Sequence, residues 1–119
     1  MSKEKDPNKA INERDPHKAV DYMFANAKLF AKAKSERIYL EEYRKSLKAL
    51  LMKRSLEDAI GAQEREAYAH EDYRNLLNGL KAAVETEESL RWELIAAQTR
   101  VEIWRTEQAN IRAEGRATI

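Results

Sequence analysis

The chain has 119 residues, and 36% of them are Asp, Glu, Lys or Arg, against only 3 glycines and 2 prolines. A single domain fits that length, and the Ala, Glu, Lys, Arg and Leu bias belongs to long helices or coiled coils rather than to a mixed α/β domain. The absence of cysteine excludes disulfides and thiolate chemistry and fits a reducing cytoplasm. The net charge of +1 conceals a split: residues 1–54 hold 14 Lys/Arg against 8 Asp/Glu (+6), and residues 55–119 hold 8 against 13 (−5). Such a division suits either a basic half that meets nucleic acid or two halves that attract each other.

Met1 to Arg14 is polar, with almost nothing to bury, and is expected to be a disordered arm. It lacks the apolar core of a signal peptide, and no later run approaches the ~20 apolar residues of a membrane span. A cytoplasmic protein (host cytoplasm if phage-encoded) is therefore expected. Asp15-Pro16 marks a helix start, because Asp caps a helix N-terminus and proline at the first helical position gives up no hydrogen bond. With no further proline, the first helix is predicted over about 16–60. Its apolar positions form two rows. Val20, Phe24, Ala27, Ala31 and Ile38 come first, followed by Leu29, Ala33, Leu40, Tyr43, Leu47, Leu50 and Leu51. The rows lie on different faces, so more than one neighbour is implied.

Residues 55–72 are the predicted weak point: a bend, a short helix or the turn of a hairpin. Ser55 and Asp58 have the spacing of a capping pair, and Gly61 weakens a helix by roughly 1 kcal/mol relative to alanine. The run Ala67 to Tyr73 is expected to hold the turn, with Glu71 and Asp72 in the first turn of the next helix, where its dipole favours acids. That second helix is predicted over about 72–114, ended by Gly115. With Tyr73 at a, its a positions are Tyr73, Leu80, Glu87, Leu94, Val101 and Gln108, and its d positions are Leu76, Ala83, Leu90, Ala97, Trp104 and Ile111. Ten of these twelve are apolar or aromatic, which is the signature of a helix packed along its length against another. Leu76, Leu80, Leu90, Leu94, Val101, Trp104 and Ile111 are the predicted oligomer seam. Glu87 is a polar residue at a core position, where it can fix register. Leu77, Val84, Trp92, Ile95 and Ile103 lie off the seam, leaving apolar surface that a thin hairpin cannot hide. The fold expected is all-α, two long helices in a hairpin or coiled coil, with residues 15–119 one oligomerisation domain assembling as a homo-oligomer.

Catalytic and metal chemistry find no footing. His17 and His70 are the only histidines, and no ligand spacing, phosphate loop or nucleophile elbow is present. The chain is read as a non-enzyme with no cofactor and no metal. The functional candidate is the basic face of the first helix: Lys34, Arg37, Arg44, Lys45 and Lys48 fall within about a third of a turn on a 100° wheel, and Lys53 and Arg54 extend it. Such a stripe can track a phosphate backbone, with Phe30 or Tyr39 available for stacking. An ordinary solvated face is the alternative.

Ala67-Tyr68-Ala69-His70 with Tyr73, then Arg91-Trp92, then Trp104-Arg105-Thr106, form an order that resembles small all-helical proteins of phage recombination gene clusters. More distantly, residues 20–114 resemble the UvsY family of recombination mediators in helix order and basic-first charge. Where that family has a Lys-Ala-Arg-Leu element and paired tyrosines, this chain has Lys48-Ala49-Leu50-Leu51 and then Lys53-Arg54. The resemblance implies a helical oligomer that binds single-stranded DNA without sequence preference and acts with a RecA-like recombinase while single-strand-binding protein is displaced. A structural or adaptor coiled coil that binds no nucleic acid is the competing expectation.

Overall fold

A computed structural model of the protein describes residues 15–117; the arm expected over residues 1–14 lies outside them. The described residues form three helices and no strand: α1, Pro16–Arg54, α2, Ile60–Ala69, and α3, Glu71–Ala117. None is long and apolar enough to cross a membrane.

The start of α1 follows from its sequence. Asp15 Oδ1 accepts the His17 amide at 2.9 Å, satisfying one of the donors a helix start leaves unpaired. The end differs from expectation: α1 stops at Arg54, about six residues early. Ser55 is the cause. Its amide turns back to the Met52 carbonyl at 3.2 Å, and its hydroxyl accepts the Glu57 amide at 3.2 Å and donates to Glu66 at 2.5 Å. A serine that bonds its own local backbone competes with helix continuation. Ser55 therefore turns the chain and does not cap the next helix as the Ser55–Asp58 spacing predicted. α2 begins after Ala59, with no side-chain cap, while Gln63 Nε2 ties down the connecting loop by donating to the Glu57 carbonyl at 2.8 Å.

The second turn is one residue long and falls inside the predicted segment. His70 sits in extended backbone between α2 and α3. Its amide donates to the Ala67 carbonyl at 3.2 Å, and its Nδ1 accepts the Asp72 amide at 3.0 Å. His70 thus closes one helix and caps the next. Glu71 and Asp72 occupy the first turn of α3 as expected. Gly115 does not end α3, which continues to Ala117 with no positive-φ glycine among the described residues.

The described residues divide into two compact units, one of Ala31–Glu88 and one of α1 up to Phe30 with α3 from Ser89. In the first, α1, α2 and α3 meet around Leu47, Leu51, Ala67, Tyr73 and Leu76, with Met52 packed against them. Burying each large side chain contributes roughly 1.5–3 kcal/mol. Arg37 pairs with Glu87, whereas Leu47 and Leu51 meet Tyr73 and Leu76, so α1 and α3 run antiparallel in this unit. In the second unit Ala19 and Ala97 are fully buried, the Tyr22 hydroxyl donates to the Glu93 carboxylate, and the Arg91 guanidinium lies 5.6 Å from the Phe30 ring centroid.

The seam of α3 is largely taken up within the chain. Leu76 belongs to the core just described, and Leu80, Leu90, Leu94 and Val101 are half-buried, whereas Trp104 and Ile111 remain exposed. On α1, Ala33, Leu47 and Leu51 of the later row are buried. Phe24, Ala27, Ala31 and Ile38 of the early row are exposed.

Candidate nucleic-acid interface

The basic residues of α1 are not equivalent, because the stripe overlaps the side of the helix that packs. Arg37, Arg44 and Lys48 are half-buried, while Lys34, Lys45, Lys53 and Arg54 are exposed. Arg37 is fully engaged: Nε and Nη2 donate to the two oxygens of Glu87 at 2.6 and 2.9 Å, and Nη1 to Glu41 at 3.1 Å. Glu87 has only 2% of its surface exposed. A buried carboxylate needs such a two-pronged partner, and this bonding raises the Arg37 pKa above its usual value, Glu87 contributing most. Glu87 is thus a buried acid paired across to α1, and it holds the guanidinium otherwise assigned to phosphate.

Towards the end of α1 the arrangement changes. Arg44, Lys45 and Lys48 line an open hollow with Tyr68 of α2 and Tyr73 of α3, so all three helices build it. Tyr73 is anchored in the core and meets Tyr68 edge-to-face, with ring centroids 5.2 Å apart. Tyr68 keeps 47% of its surface exposed. The Lys48 ammonium lies 4.7 Å from the Tyr68 ring centroid and 3.1 Å from Glu64 Oε1. Both partners, Tyr68 first, push its pKa above the usual lysine value, so it stays charged at neutral pH. Lys45 makes an exposed pair with Glu42 at 3.2 Å, a contact of the kind worth 1 kcal/mol at most. Among the described residues, Lys34, Arg44, Lys53 and Arg54 form no ion pair.

Fixed positive charge beside an exposed aromatic ring is the combination used to hold single-stranded nucleic acid, phosphate on the cations and base on the ring. Sequence reasoning placed the cations but missed both tyrosines, which come from other helices; the Ala67–Tyr73 turn was the one signal that they converge. Of the two rings proposed for stacking, Tyr39 is exposed but stacks on Tyr43, 5.9 Å away, and Phe30 lies beneath Arg91. No cluster among the described residues could hold a metal ion. Comparison with family models, with curated proteins and with solved structures found no match to this chain.

Proposed function

We propose that this protein binds single-stranded DNA without sequence preference, as an accessory of phage-type recombination or replication that works beside a RecA-like recombinase or a single-strand-binding protein. The observation that carries the binding reading is the hollow in which Arg44, Lys45 and Lys48 surround the exposed Tyr68 ring. Lys53 and Arg54, just beyond it on α1 and exposed, extend the positive surface along a strand's path, and Lys34 is available at the other end of the stripe. Arg37 has the separate task of pairing Glu87. The role beside a recombinase is the part that the phage-cluster resemblance supplies.

Fluorescence anisotropy with a labelled oligonucleotide tests the site. Tyr68→Ala should weaken binding about 5- to 150-fold, the value of one stacked base at ~1–3 kcal/mol. The doubly substituted Arg44→Ala/Lys53→Ala protein should weaken binding of every sequence alike. The adaptor reading draws on the internal pairing of Arg37 and Lys48, and wild-type protein that leaves the oligonucleotide free at low salt would establish it instead.

A further inference from the structure

Within the Ala31–Glu88 unit, α1 carries a second row of cations and rings besides the one that reaches the Tyr68 hollow. Ala33, Leu47 and Leu51 are buried and mark the packed side of the helix. On a 100° wheel, Arg44 and Lys48 lie on one flank of that side. Lys32, Tyr39, Tyr43, Lys53 and Arg54 lie within about 100° of arc on the other flank, roughly half a turn away. All five are exposed.

The rings give this flank a shape that fits a base. Tyr39 and Tyr43, one turn apart, are stacked with 5.9 Å between centroids and 9° between planes. Tyr43 thus takes one face of Tyr39. An open hollow beside Tyr39 is lined by Ser35 and Glu36 of the preceding turn and by Leu40, which leaves the other face of the ring open to a planar group. Tyr39 is 65% exposed.

The charges identify what that group belongs to. Among the described residues, Lys32, Lys53 and Arg54 form no ion pair. Glu36 is the one acid on this flank, because Glu41 and Glu42 lie towards Arg37 and Lys45 and pair with them. Lys32 and Lys53 stand about 30 Å apart along the helix at 1.5 Å per residue, too far for one small anion but suited to separate phosphates of one strand. A second copy of the same positive flank is repelled. Leu50 is the one large aliphatic side chain exposed beside the rings, too little for a lipid surface.

From this we infer that the Tyr39 flank of α1 is a second contact surface for single-stranded nucleic acid. One base stacks on Tyr39, and Lys32, Lys53 and Arg54 hold phosphates on either side of it. Lys53 and Arg54 lead the strand from the Tyr68 hollow onto this flank. The inference rests on the single-strand reading of the hollow, adds contacts of its own, and makes Glu36 a residue that opposes binding.

Fluorescence anisotropy with a labelled oligonucleotide tests it on the full chain, with circular dichroism to verify helicity. Tyr39→Ala/Tyr43→Ala should weaken binding about 5- to 150-fold, whereas Tyr39→Phe/Tyr43→Phe should bind as the wild type does. Glu36→Gln should tighten binding, and Lys32→Ala should flatten the slope of log K against log salt by about 0.7. If Tyr68→Ala weakens binding while Tyr39→Ala/Tyr43→Ala and Lys32→Ala change neither affinity nor slope, this inference falls and the hollow stands. Loss in Tyr39→Ala/Tyr43→Ala with none in Tyr68→Ala keeps the flank and removes the hollow. Wild-type protein that leaves the oligonucleotide free at low salt overturns both, and binding of anionic vesicles in its place would assign the flank to lipid.

Discussion

The Arg37–Glu87 pair shows how one core position can redirect a whole surface. Glu87 occupies an a position of a seam that is otherwise mostly apolar, and its burial commits the Arg37 guanidinium, which bonds it with both prongs. Breaking such a pair leaves a buried charge, whereas replacing both partners by apolar side chains is often tolerated. Arg37→Met should therefore lower the melting temperature clearly, and Arg37→Met/Glu87→Met should recover most of the loss. A double variant less stable than the single would remove the register role assigned to this pair. Tyr22 gives a second test. Its phenol, desolvated by burial and donating to Glu93, has a pKa raised above the usual tyrosine value near 10.0. The folded chain thus keeps a proton that the unfolded chain releases, so this contribution is intact below pH 10 and declines as pH rises beyond it. Urea midpoints taken from pH 9 to 11 should fall more steeply for the wild type than for Tyr22→Phe.

Among the helices, what the sequence foretold depended on where the deciding bonds lie. The start of α1 was legible because Asp15 and Pro16 act on adjacent backbone. Its end was not, since the hydroxyl of Ser55 is also held by Glu66, eleven residues away on a helix that no periodicity announced. The cap of α3 escaped notice for a different reason: histidine is an uncommon N-cap, and His70 serves through Nδ1. Gly115 shows that a glycine near a chain end need not stop an exposed helix, since continuing costs only about 1 kcal/mol relative to alanine. Gly79, in mid-helix, offers the converse test. A Cβ built there meets nothing within 4 Å, so Gly79→Ala should stabilise the protein by about 0.8–1 kcal/mol in denaturant unfolding. Leu51→Ala, in contrast, removes a side chain from the junction of all three helices and should cost about 2–5 kcal/mol.

At the scale of the molecule, α3 packs one side against α1 in the Ala31–Glu88 unit, and Trp92, Ile95 and Ile103 stay exposed in the other unit. The seam was visible in the heptads, but periodicity cannot say whether a partner helix belongs to the same chain; the burial of Leu76 against Leu47 and Leu51 answers that for the first unit. The candidate site was half legible for the same reason. Its cations share one helix and show up on a wheel, whereas Tyr68 and Tyr73 join them only after two turns have been made. The central claim, that this surface holds single-stranded DNA, is tested most directly by oligonucleotide affinity measured against salt. Each single-strand phosphate contact adds about −0.7 to the slope of log K against log salt. A steep slope, flattened by about 1–2 units in Arg44→Ala/Lys53→Ala and unchanged in Lys81→Ala, is the predicted result. Binding that is absent at low salt, or equally salt-dependent in all three proteins, would contradict it.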